Sequence, residues 1–186
     1  ERRLAAVALV LAVGSVSGAV AWNTARANAY PHYEASVPRS FHGIPLSDDG
    51  PTGVAMDAYL ADLAPRGAQP FFGLYKDADS EGRLVLVGAT GDLHDEDPDE
   101  LLADMGSFWG GPADTWSPDP GPLGGRMECA TYQPPVGRLA VCTWVDRGSL
   151  GMVMTGALQE DEQESFAQAA RELRKATLRP APEGAA

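Results

Sequence analysis

MECATYQPPVGRLAVCTWVDRGSLGMVMTG, residues 127–156, reads as three short antiparallel strands joined by two tight turns. Gln133-Pro134-Pro135-Val136-Gly137 supplies the first turn, because Pro and Gly set turn dihedrals and break strand ladders. Centring that bend between Pro135 and Val136 makes facing residue numbers sum to 271, which sets Cys129 opposite Cys142. Facing residues in a non-hydrogen-bonded pair lie about 4.5 Å apart at Cα, just within disulfide range. We therefore expect a Cys129–Cys142 disulfide; the alternative is two buried free thiols. The second turn is Asp146-Arg147-Gly148-Ser149, which pairs Val145 with Leu150, Thr143 with Met152 and Val141 with Met154. One face then carries Val141, Thr143, Val145, Leu150, Met152 and Met154. The other carries Cys142, Trp144, Gly151 and Val153 beside Met127 and Cys129. Both faces are apolar, so we expect the sheet to be covered, at least in part, on both.

Charge narrows the function classes. The formal net charge is −12; Glu1, Arg2, Arg3 and Arg26 contribute +2 over residues 1–26, which leaves −14 for the rest. Nucleic acid and an anionic lipid surface are poor partners for such a chain. Residues 4–22, LAAVALVLAVGSVSGAVAW, are an uncharged apolar run of 19, about enough to cross a bilayer as a helix. Arg2 and Arg3 flank its start, so the positive-inside rule puts the N-terminus in the cytoplasm and the remainder outside. We read the run as a single-pass anchor. The alternative is a signal peptide and a secreted product, since Ala19-Val20-Ala21 and Ala27-Asn28-Ala29 both have the A-x-A form. Gly14 and Gly18 form a GxxxG pair suited to helix–helix contact, although small residues are common in membrane helices.

Residues 23–50, rich in Pro and lacking a period, read as an extracytoplasmic linker in which His32 and His42 are solvated. Residues 51–64 read as a helix with Met56, Tyr59, Leu60 and Leu63 on one face. Residues 70–76 and 83–89 read as a hairpin, its second strand apolar enough to be interior. The tip, residues 77–82, matches half of a calcium loop but lacks the distant bidentate Glu, so it reads as a polar turn.

Residues 91–100, GDLHDEDPDE, hold the densest charge. Asp97 suits an N-cap, Pro98 a first helical position, and Asp99 and Glu100 the positive end of the dipole. His94, Asp95 and Asp97 are weak metal-ligand candidates beside that capping role. The helix is expected to run to about Trp109, burying Leu101, Leu102, Met105 and Phe108. Residues 110–126 read as a long Gly/Pro-rich loop. Within it Trp116 is a candidate binding aromatic, as is Trp144 on the central strand; the plainer reading makes Trp116 a plug over the sheet's second face. Residues 160–178 form the last helix, acidic at its start and basic at its end, with Phe166, Ala169, Ala170 and Leu173 inward. The expected fold is α+β: about five antiparallel strands and three helices, the helices on one face, preceded by one transmembrane helix. The corresponding boundaries are an anchor at 1–22, a linker at 23–50, an ectodomain at 51–179 and a tail at 180–186.

Three segments carry a resemblance: Phe41-His42-Gly43-Ile44-Pro45-Leu46, Gly88-Ala89-Thr90-Gly91, and Cys142-Thr143-Trp144-Val145-Asp146-Arg147-Gly148-Ser149-Leu150-Gly151. In these the chain resembles uncharacterised actinobacterial, Streptomyces-like, membrane-anchored extracytoplasmic domains. The resemblance implies an anchored outer domain and no particular activity.

The sequence lacks a G-x-S-x-G elbow, a zinc-ligand spacing, a P-loop and a dinucleotide glycine motif. Ser149, in a mobile-looking turn, has no His near it in sequence. We expect no catalytic residues and no cofactor. The leading expectation is a membrane-tethered binding or interaction module, sensory in one version, whose partner is a protein or a cell-envelope component. The alternatives are a metal-dependent hydrolase built on residues 92–100 and a structural subunit of an envelope complex.

Overall fold

A computed structural model describes residues 32–48, 68–76, 83–135, 137–156 and 158–181. In chain order these form β1 (Tyr33–Ala35), β2 (Ser40–Phe41), β3 (Ile44–Pro45), β4 (Gln69–Lys76), β5 (Arg83–Thr90) and α1 (Pro98–Ser107). There follow β6 (Asp114–Trp116), β7 (Arg126–Tyr132), β8 (Leu139–Val145), β9 (Ser149–Thr155), α2 (Gln163–Thr177) and β10 (Leu178–Pro180). The apolar run at 4–22 with Gly14 and Gly18, the expected helix at 51–64 and the hairpin tip at 77–82 lie outside the described residues. No helix among the described residues is long and apolar enough to cross a membrane.

The protein is α+β. Six strands form one sheet in the order β4-β5-β9-β8-β7-β6, every neighbour antiparallel. The meander has the register its turns imply: Cys129 faces Cys142, Val145 faces Leu150, Thr143 faces Met152 and Val141 faces Met154. The cysteines are disulfide-bonded across β7 and β8 with Cα atoms 4.0 Å apart, and both are buried. The hairpin of β4 and β5 also stands, with β5 interior between β4 and β9. The sixth strand, β6, comes from the Gly/Pro-rich stretch that carried no strand pattern.

One row across the sheet explains two glycines. Phe71, Gly88, Gly151, Trp144 and Met127 face one another in succession from β4 to β7. A Cβ on Gly88 would meet the Phe71 ring at 2.5 Å, and one on Gly151 would meet the Trp144 ring at 2.4 Å. Two aromatic rings therefore lie over two glycines, where only a bare backbone leaves room.

The two described helices cover opposite faces, not one as expected. Phe166, Ala167, Ala170 and Leu173 of α2 pack with Tyr75, Leu86, Cys129, Cys142, Trp144 and Val153. Leu101, Leu102 and Met105 of α1 pack with Val87, Val141, Val145, Leu150, Met152 and Met154. Period-two alternation says that both faces are apolar, but nothing local says which helix crosses to which side. Asp97 caps α1 as expected, its carboxylate accepting from the Asp99 N–H at 2.9 Å, with Pro98 at the first position. This helix stops at Ser107, and Phe108 is 47 % exposed where burial was expected.

The N-terminal segment also departs from expectation. Residues 32–48, read as linker, are part of the fold. β1 pairs with β10, matching Tyr33 with Pro180, so Pro180 is strand and not tail. Further bonds run from Ser36 N–H to the Thr177 carbonyl and from Ala181 N–H to the His32 carbonyl, each 2.8 Å. β2 and β3 form a hairpin across His42 and Gly43, both at positive φ (48° and 83°) as a primed two-residue turn requires. His42 is not simply solvated: its ring stacks on Phe41, and Nε2 lies 2.7 Å from a Glu172 carboxylate oxygen of α2. Pro38 and Pro45 look like linker sequence because this segment follows the sheet face irregularly instead of repeating along it.

Candidate functional site

The segment at residues 142–151 is spent on the protein's frame. Asp146, at the β8–β9 turn, accepts from the Gly148 and Ser149 N–H groups at 2.6 and 2.7 Å through one oxygen. Its other oxygen accepts from the Ser149 hydroxyl at 2.8 Å and from the Arg174 guanidinium at 2.5 Å. Trp144 Nε1–H reaches the Ser149 hydroxyl oxygen at 3.3 Å, and the Arg174 guanidinium lies 5.7 Å from the centre of the Trp144 ring. Arg174 also donates to the Pro120 and Gly124 carbonyls at 3.2 and 3.0 Å. Arg174 is 1 % exposed and Asp146 is 8 % exposed. Burial lowers the Arg174 pKa, and the neighbouring Asp146 carboxylate opposes that shift.

This arrangement changes how three residues read. Arg174 fits the basic end of α2 in sequence, yet it is the buried partner of an aspartate 28 positions away. Ser149, set in a mobile-looking turn by sequence, is fully buried and held between Asp146 and Trp144. Its hydroxyl proton goes to a carboxylate, and no histidine touches it among the described residues. Trp144 is fully buried and presents no binding surface.

The 117–125 stretch is pinned by the same helix. Besides the Arg174 bonds, Arg171 donates to the Asp119 carbonyl at 3.2 Å. Trp116 is not in a loop folded over the sheet: it belongs to the edge strand β6, pairs with Cys129 in register and packs, half-buried, on the α2-side cluster.

In the acidic run, His94 pairs with two neighbouring carboxylates, and Asp99 pairs with Arg126 outside the run. His94 Nδ1 lies 2.7 Å from Asp92 and Nε2 lies 3.1 Å from Asp95. The hydrogen bond from His94 holds the Asp92 carboxyl below its usual range. Asp97 faces the start of α1 as its cap. Among the described residues no group of three or more His, Cys, Asp or Glu is arranged to hold a metal ion.

A groove that sequence reading missed opens where α2 begins. It has a volume of about 420 Å³ and is lined by Asp114, Thr131, Arg138, Leu158, Gln159 and Gln163, among others. Gln163 Nε2–H donates to Asp114 at 3.0 Å, tying α2 to the edge strand β6. A second groove, also of about 420 Å³, shares Arg138, Leu158 and Gln159 and adds Asp161. These residues come from four separate segments, so no local motif announces them.

No protein-family model, curated protein or solved structure matches the chain.

Proposed function

We propose that this chain is a non-catalytic extracytoplasmic binding module, tethered through the apolar run at residues 4–22. The observation that carries the reading is the fate of the segment behind the resemblance. Cys142, Trp144, Asp146, Gly148, Ser149 and Gly151 are bonded or packed inside the domain and present no reactive group to solvent. Residues used in this way preserve a scaffold, and function then falls to the surface that the scaffold holds rigid. The buried Cys129–Cys142 disulfide supports a location outside the reducing cytoplasm.

Protease shaving of intact cells, with a non-reducing gel shift, tests the location. The expected outcome is a domain digested from outside whose thiols react with maleimide only after reduction. Affinity purification of the full chain from native membranes tests the role, with a stoichiometric partner expected. Turnover of an ester, peptide or glycan substrate by the purified chain would overturn the non-catalytic part.

A further inference from the structure

We infer that residues 32–48 are a strap that comes away from the domain while the rest stays folded, and that its release lengthens the domain's reach from its tether. The reach rests on the tethered-module reading; the release does not. Segments that open below global unfolding have few buried apolar side chains and backbone bonds close to solvent. This strap has both marks. Phe41 is its one buried residue, and ten of its seventeen residues are exposed. None of β1, β2 and β3 belongs to the six-stranded sheet. The strap meets that sheet at the edge of β4, through an isolated bridge between Leu46 and Tyr75 and a bond from the Ser47 N–H to the Leu74 carbonyl at 2.7 Å. Val37 sits over bare Gly73, where a Cβ would meet its Cγ1 at 2.8 Å. The Phe41 and Tyr75 ring centres are 6.1 Å apart, and the Tyr75 hydroxyl donates to the Pro38 carbonyl at 3.0 Å. His42 adds its exposed pairing with Glu172.

The body keeps its own cores without the strap. Among the described residues the α1 face holds no strap side chain, and on the other face Phe166, Ala170 and Leu173 of α2 pack with Cys129, Cys142, Trp144 and Val153. The hydrogen bonds that Arg174 and Asp146 make involve no strap residue either. Release therefore leaves both packed faces and the buried ion pair in place. The order of opening follows from the pairing. The strap's outermost bond, from the Ala181 N–H to the His32 carbonyl, lies next to the tether, and Tyr33 facing Pro180 comes next. A pull along the tether loads these bonds one after another, not together. At about 3.3 Å per extended residue, the released strap adds up to roughly 55 Å to the span between membrane and domain. Residues 23–31 alone allow at most about 30 Å.

The test follows amide hydrogen exchange of the full chain in nanodiscs. The Ser36, Leu46 and Ser47 N–H groups are each bonded in the docked strap. They should share one protection factor, about a hundredfold or more below those of β8 and β9. Glu34 and Arg179 are exposed and face each other in register, so Glu34→Cys with Arg179→Cys locks the strap by a disulfide. The lock should slow exchange at all three amides by roughly tenfold or more. Val37→Asp, which sets a carboxylate against Gly73, should speed all three by a similar factor and leave β8 and β9 unchanged. Exchange of the three amides in step with β8 and β9 overturns the proposal, as does a lock that slows Ser36 alone. Reach is read by energy transfer from a dye on Lys175→Cys to acceptor lipids in the nanodisc. Val37→Asp should lower the transfer; unchanged transfer with faster strap exchange overturns the reach and leaves the strap standing. Transfer absent from every variant overturns the tether reading, and the reach with it.

Discussion

The two faces of the central sheet are built on different principles. The α1 face is filled by aliphatic and methionine side chains, Val87, Val141, Leu150, Met152 and Met154 against Leu101, Leu102 and Met105. The α2 face carries the disulfide, the two aromatic-over-glycine contacts, the buried Arg174–Asp146 pair and the segment 32–48. Apolar packing of similar volume is tolerant of exchange, whereas contacts that depend on a particular charge, ring or missing Cβ are not. The α2 face should therefore be the unforgiving one.

The largest expected effect comes from halving the buried ion pair. Arg174→Ala or Asp146→Ala should each cost about 3–5 kcal/mol in urea denaturation, because each strands a buried charge. The apolar double variant Asp146→Leu with Arg174→Met should recover part of that loss; no recovery would mean that the Asp146 bonds to the β8–β9 turn matter more than the charge pair. Gly151→Ala should come next, at roughly 1–3 kcal/mol, since the new Cβ meets the Trp144 ring at 2.4 Å and the Val87 carbonyl at 2.8 Å. Combining it with Trp144→Leu should relieve the ring clash but not the backbone one, so a double-mutant cycle separates the two.

On the α1 face, Met152→Leu and Met154→Leu should each cost less than about 1.5 kcal/mol. A loss as large as that of Gly151→Ala would erase the contrast between the faces. The smallest effect is a pH dependence. Burial pushes Tyr75 up to about 12, and its hydroxyl donates to the Pro38 carbonyl at 3.0 Å. The folded phenol holds its proton to higher pH than the unfolded one, so this contribution is complete below pH 10 and is lost as pH rises toward 12. Denaturation across that window should show a steeper loss for the parent chain than for Tyr75→Phe.

The comparison also bears on what could be read in advance. Turn centres at Pro135-Val136 and Arg147-Gly148 gave the meander register residue by residue, because a hairpin's pairing follows from where it bends. Asp97 and Pro98 announced the start of α1 through contacts made within three residues. The contact of His42 and the burial of Arg174 could not be read in advance because their partners, Glu172 and Asp146, are 130 and 28 positions away. Phe108 was misread because the helical period was carried to Trp109, two residues past Ser107, where α1 stops.

Local chemistry was sufficient for strands β4, β5, β7, β8 and β9, the meander register, the disulfide and the helix cap, since each depends on neighbours along the chain or directly across one turn. The side of the sheet each helix covers, the inclusion of residues 32–48, the burial of Arg174 and the groove at Arg138, Gln159 and Gln163 required the assembled fold. Those features arise where distant segments meet, and their energies come from desolvation and packing among residues that carry no shared local signal.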